Sequence, residues 1–194
     1  MRTKRRLSLV VAAGSAVLAA ACATPHTGGV SAASSVPTAS VQSTLAGGSG
    51  RSEVTFDPCR DLPAAVVSEA GYDPQSRDTQ QKPFNSDDGE TFLLCGFLSD
   101  LYSIVIDSGN RTVAEQKAQA SGKELTQVSI NGRQGLIIHD PGDTYACTLA
   151  FSTSYGEIML ARTLRDPAEK AGMDPCGGLQ DTAKIIASAL PKGV

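Results

Sequence analysis

The chain has 194 residues, a formal charge of −3, 5% aromatic residues and no tryptophan. An excess of Asp and Glu over Lys and Arg excludes a nucleic-acid binder, because phosphate recognition rests on clustered cations that displace counterions. It also excludes a polybasic hold on an anionic membrane surface.

The chain opens with Arg2, Lys4, Arg5 and Arg6, then runs apolar or small from Leu7 to Leu18, with small residues onward to Ala21 and a cysteine at Cys22. Charge, apolar run and small residues in that order form an export signal. About 12 apolar residues are too few to span a membrane, which takes roughly 20. Val17-Leu18-Ala19-Ala20-Ala21-Cys22 resembles a bacterial lipoprotein processing site, with cleavage between Ala21 and Cys22 and lipid on the Cys22 sulfur. Leu18 stands one place earlier than the usual pattern, and Ala19 fills its slot. Sec and twin-arginine export both remain open: Arg5-Arg6 suits the second, and Ser8 falls where an apolar residue is expected. Residues 1–21 are thus read as the signal peptide. Cleavage removes four positive charges and no negative ones, taking the formal charge from −3 to −7. Attachment must then come from lipid, and two or more acyl chains are needed for stable anchoring.

Residues 22–53 are read as the lipidated cysteine and a flexible tether. From Ala23 to Ser52 the composition is dominated by Ala, Ser, Thr, Gly, Pro and Val, and Arg51 is the one formal charge. Such a segment buries too little apolar surface to offset its ordering entropy. About 30 residues of this kind span roughly 30 Å. His26 has no assigned role.

Residues 54–194 make one domain of common size. Asp57-Pro58 sets a helix-type turn at Cys59, and a helix is expected from Pro63 to Ala70, ended by Gly71. Tyr72 to Glu90 is polar and reads as a long loop, with Asp87, Asp88 and Glu90 forming a solvated acidic stretch. Thr91–Phe97 and Tyr102–Asp107 read as a hairpin. Thr112 caps a helix with a thin apolar face, which should lie on the surface. Leu125–Ile130 and Gln134–His139 flank Asn131-Gly132, a type I′ hairpin signal. Ala146–Thr153 and Glu157–Thr163 flank Ser154-Tyr155-Gly156 as a further hairpin. Met173-Asp174-Pro175-Cys176 repeats the Asp-Pro-Cys start, and Leu179, Ala183, Ile186, Ala187 and Leu190 then share one helical face. The order α-β-β-α-β-β-β-β-α describes an α+β domain: a mainly antiparallel sheet of about six strands with helices packed on it.

Five cysteines in an exported chain leave an odd thiol. If Cys22 carries lipid, then Cys59, Cys95, Cys147 and Cys176 suffice for two disulfides. The favoured pairing is Cys59–Cys95 with Cys147–Cys176, each pinning a helix start to a strand near in sequence. Cys59–Cys176 with Cys95–Cys147 is the rival. The wide spacing of these cysteines does not suit zinc, and no metal or cofactor is expected. Asp87, Asp88 and Glu90 lack calcium-loop spacing. His139 is the sole domain histidine, and a hydrolase would have to use it. No G-x-S-x-G motif accompanies it, so a half-exposed strand end is the simpler reading.

The lipobox, the low-complexity tether, Asp-Pro-Cys, the Gly-ended helix, the hairpin cysteine, the late strand cysteine and the final helix resemble an actinobacterial family of envelope lipoproteins, of the mycobacterial LprB/LprC type, that carries a domain of unknown function. The resemblance runs from Val54 to about Leu190, with Phe97 standing where the family often has Trp. It implies an envelope lipoprotein and supplies no catalytic residues. The expectation is a non-enzymatic protein, anchored on the extracytoplasmic side of the membrane through Cys22, that binds a protein, glycan or lipid partner. The alternative is a small-molecule or lipid carrier, or a sensor, with a pocket between sheet and helices.

Overall fold

In the computed structural model, which describes residues 50–80, 83–191 and 194, the alternating apolar runs close into one antiparallel sheet. Ala21, Cys22, His26 and nearly all of the expected tether lie outside the described residues. Six strands fall where the sequence placed them: β3 (Thr91–Leu98), β4 (Tyr102–Gly109), β5 (Glu124–Ile130), β6 (Arg133–His139), β7 (Ala146–Ser152) and β8 (Glu157–Leu164). The β5–β6 turn carries positive φ at both Asn131 (49°) and Gly132 (84°), as a type I′ turn requires.

The stretch Tyr72–Glu90, expected as a loop, holds two further strands, β1 (Asp73–Asp78) and β2 (Phe84–Asn85), for a total of eight among the described residues. Both lie antiparallel along the outer edge of β3. Their sequences show no apolar alternation because they are edge strands. Their backbones satisfy one flank of β3 while their side chains are half-buried or exposed, none of them fully buried.

The strand order is β1-β3-β4-β8-β7-β6-β5, with β2 also on β3. The β3–β4 hairpin and the β5–β8 meander meet along the β4–β8 pairing, which is unbroken from Tyr102↔Leu164 to Gly109↔Glu157. Alternation then sends successive residues to opposite faces. One face carries Leu93, Cys95, Phe97, Ile104, Ile106, Leu149, Phe151, Ile158 and Leu160, all part of the main core. Over it pack α1 (Pro58–Asp61), α2 (Ala64–Glu69) and α5 (Leu179–Ser188). Val67 from α2 and Leu179, Ala183 and Ile186 from α5 are the buried anchors. The other face is covered in part. The helix α3 (Val113–Gln119) crosses it over β6 and β7, packing Val113 and Ala120 on Leu136, Ile138 and Ala150. This is the surface position expected of its thin apolar face.

Both favoured disulfides form: Cys59–Cys95 ties α1 to β3, and Cys147–Cys176 ties β7 to the segment before α5. The repeated Asp-Pro-Cys acts alike at both ends in one respect. Asp57 accepts from the Cys59 N–H at 2.9 Å, and Asp174 from the Cys176 N–H at 2.8 Å. Only the first starts a helix. After Asp174 the chain makes a turn, and α5 begins at Leu179 behind Gly178, whose φ is 73°. The turn is held by Arg162, which is 3% exposed. Its Nε donates to the Pro175 carbonyl at 2.9 Å, its Nη2 to the Gly177 carbonyl at 2.6 Å, and its guanidinium lies 4.4 Å from the centre of the Tyr102 ring. One short helix, α4 (Asp166–Lys170), was not expected.

Candidate functional site

The partly covered face has an unusual floor. On β4 the residues Ser103, Val105 and Asp107 point to it, and on β8 so do Glu157, Met159 and Ala161. The register pairs Asp107 with Met159 and Gly109 with Glu157. Asp107 and Glu157 are therefore diagonal neighbours on one face. Asp107 is 7% exposed and Glu157 fully buried. Neither Glu157 oxygen nor Asp107 Oδ1 has a hydrogen-bond partner among the described residues. Burial dominates their acidity, since a desolvated carboxylate costs far more than a neutral acid. It pushes Asp107 up to about 7 against the pull of Arg111, and Glu157 up to about 8, where the charge of Asp107 adds to the effect.

Beside them stands a second layer of ion pairs. Glu90 was read from the sequence as part of a solvated acidic loop. Instead it is 4% exposed and turned inward. Arg111 grips both of its oxygens, with Nε–Oε1 at 2.9 Å, and donates through Nη1 to Gln116 at 2.9 Å. Paired, bidentate geometry is the form in which a buried acid is tolerated. The Arg111 guanidinium also lies 4.9 Å from the centre of the Phe92 ring. Arg51, placed by composition at the end of the tether, reaches the domain and bonds Glu115 at 3.1 Å. Glu115 closes a capping box with Thr112 at the start of α3. The Thr112 donors and Arg51 together hold its carboxyl down at about 2. Buried Asn110 joins these pieces: its Oδ1 accepts from the Thr91 N–H, and its Nδ2 donates to the Ser52 and Gly89 carbonyls.

Glycines let the layers approach. Phe92 lies flat over Gly109, where an added Cβ would come within 2.4 Å of the ring. At Gly156 a Cβ would meet the Gly109 carbonyl oxygen at 2.3 Å and the Asn110 Cα at 2.6 Å. Backbone cannot swing aside as a side chain can. Gly156→Ala is therefore expected to cost about 1–3 kcal/mol, read as a lower urea midpoint at unchanged slope. An unchanged midpoint would mean that the turn after β4 yields freely.

Above the Asp107 carboxyl is a cavity of about 230 Å³ lined by Phe84, Phe92, Leu94, Asp107, Arg111 and Met159. Phe84, on β2, is 54% exposed and stands at the rim, its ring centre 6.1 Å from that of Phe92. Farther along β3 and β4 is a second hollow of about 370 Å³, with Ser76, Asp78, Gly96, Leu98, Ser103 and Val105 in its lining. Both lie where α3 does not reach.

The residues singled out from the sequence do not converge here. His139 ends β6, with its Nδ1 3.6 Å from Glu124 across the strand pair. No hydroxyl or thiol is hydrogen-bonded to it among the described residues. No group of three His, Cys, Asp or Glu side chains among the described residues is placed to hold a metal. Sequence reasoning passed over Asp107, Glu157 and Arg111. The available signal was an acid adjoining an apolar run within a strand, as in Ile104-Val105-Ile106-Asp107 and Glu157-Ile158-Met159-Leu160.

Sheet, helices and bridges together define an α+β domain braced by two disulfides, with one closed face and one partly open face that carries buried carboxyls. Residues 17–188 match the family described as a protein of unknown function (DUF3558), and the chain belongs to that family. No curated protein and no solved structure matches it.

Proposed function

We propose that this chain is a lipid-anchored envelope protein, held on the extracytoplasmic side of the membrane through Cys22, whose domain is a binding module rather than an enzyme. The observation that carries the binding role is the inequality of the two sheet faces. One is sealed by α1, α2 and α5, while the other is only partly covered over β3, β4 and β8 beyond α3, with two hollows and an exposed Phe84. Monomeric domains seldom leave an apolar strand face open unless something binds it. The anchoring role is supported by the order of charges, apolar run and small residues before Cys22, and by the consumption of the other four cysteines in disulfides. The family match begins at residue 17, so it takes in Cys22 and the segment after it. The actinobacterial, LprB/LprC-like affiliation belongs to this same reading. The partner is an envelope protein, glycan or lipid.

Two experiments test the two halves. Cys22→Ser is expected to abolish metabolic lipid labelling and move the protein from membrane to soluble fractions; continued labelling would refute the anchor. A photo-crosslinking residue at Phe84 is expected to capture a discrete envelope component, and one at Glu69 on the closed side is not. Equal capture from both positions would refute the open face as the binding surface. A carrier or sensor of small molecules is the second reading. It is favoured by the cavity over Asp107, which lies on the open face and not between sheet and helices of the main core.

A further inference from the structure

The cavity over Asp107 points to the chemistry of what it takes. Asp107 is more than nine-tenths buried and lines the cavity, and no described residue donates a hydrogen bond to its carboxyl. The neighbouring cations are already committed. Arg111 is spent on Glu90 and Gln116, and Arg51 on Glu115, with Glu90 3.7 Å away. Arg111 also lines the cavity and acts on Asp107 through its charge, but its donors are engaged by Glu90 and Gln116. What Asp107 lacks is a hydrogen-bond donor of its own.

The walls say what kind. Phe84, Phe92, Leu94 and Met159 offer ring faces, methyls and a thioether. They cannot replace the hydration shell of a metal ion, whereas they suit an organic cation through cation–π and apolar contact. An anion would meet Asp107 head on. A neutral apolar guest would leave a buried carboxyl without a partner. The volume of about 230 Å³ corresponds to about eight waters at about 30 Å³ each, so the part of the guest inside it is small.

We propose that this cavity binds a small alkylammonium ion, its N–H groups donating to Asp107 and its alkyl chain lying against Phe92, Leu94 and Met159. The inference rests on the binding-module reading and gives it a ligand class. Binding should compete with protonation of Asp107, whose carboxyl sits near 7 in the free domain. Glu90, Glu157, Glu115, Arg111 and Arg51 set the surrounding field.

The test uses the mature lipoprotein in nanodiscs, labelled with [methyl-13C]methionine, so that Met159 reports the cavity and Met173 serves as a distant control. The probes are n-butylammonium and its neutral counterpart 1-butanol. Butylammonium is expected to shift the Met159 signal but not that of Met173, at least tenfold more tightly than butanol. Its affinity should rise about tenfold from pH 6 to pH 8, as Asp107 passes from mostly protonated to mostly ionised. Asp107→Asn, which removes a buried charge and should fold at least as well, should weaken butylammonium tenfold or more. Equal affinity for the two probes, or an Asn variant that binds as the native chain does, would overturn the cation site and leave the binding module standing. If neither probe moves Met159 while crosslinking from Phe84 still captures a component, the ammonium inference alone fails. If both fail, so does the open-face reading.

Discussion

Glu157→Gln is expected to raise the domain's stability at pH 9 by about 4–5 kcal/mol and to change it by less than about 1 kcal/mol at pH 5. The argument is one of proton linkage. Fully buried, Glu157 holds its proton up to about 8 in the folded chain, whereas the ordinary glutamate value is 4.5. Below about 4.5 both the folded and unfolded chains are protonated, and the group carries no penalty. Between about 4.5 and 8 the unfolded chain gives up its proton and the folded chain keeps it, so stability falls as pH rises. Above about 8 the loss is complete, at roughly 4–5 kcal/mol for about 1.36 kcal/mol per pH unit. Asp107 adds a fall of the same sign between its ordinary value of 3.8 and about 7. Gln cannot ionise, so the variant keeps only the Asp107 part of the slope. At low pH it gains nothing, because its amide is as poorly partnered as the acid it replaces. Urea denaturation from pH 5 to 9 measures this directly. The two curves should diverge with rising pH, and a constant gap between them would show that Glu157 does not titrate in this window.

Removal of the Cys147–Cys176 bridge as Cys147→Ala with Cys176→Ala should cost about 3.5 kcal/mol. The bridge closes a separation of 29 residues, and loop entropy returned to the unfolded chain accounts for a loss of that size. The total stability of a domain of this size is about 5–15 kcal/mol, so the variant should melt many degrees lower. Arg162 limits the damage in the folded state, because its bonds to the Pro175 and Gly177 carbonyls keep the turn in place without the sulfurs. The variant should therefore remain cooperative. Thermal melts under oxidising conditions decide the matter: a midpoint within a degree or two of the native one would mean that the bridge adds nothing the Arg162 contacts do not supply. The same removal at Cys59 and Cys95, a separation of 36 residues, should cost a similar amount.

These two predictions sit at opposite ends of what could be read without a structure. The bridges were legible because Cys59 and Cys147 each have a partner about 30 residues away, next to a helix-type start or a strand. The ionisable pair was not. Asp107 and Glu157 stand 50 positions apart and meet only because β4 and β8 are in one particular register. A shift of that register by one residue would send Glu157 to the other face. Glu90 misled for a related reason. Among Asp87, Asp88 and Gly89 it has the composition of a solvated loop, yet Arg111 and Asn110 draw that loop against the sheet.

By itself the sequence determined the elements whose signals are local: six strands with a two-residue period, α5 with its apolar stripe, the Asn131-Gly132 turn, and the pairing of four cysteines in two bridges. Each depends on neighbours within a few positions, where backbone geometry and side-chain size act directly. The tertiary structure alone decided that polar Asp73–Asp78 is a strand, that α5 waits until Leu179, and that α3 covers only part of its face. It also decided that the partly covered remainder buries Asp107 and Glu157, with Asp107 Oδ1 and both Glu157 oxygens left without a hydrogen-bond partner among the described residues. Those outcomes depend on which distant backbone completes a sheet edge and which side chains lose their water. Such terms arise only once the chain has closed on itself.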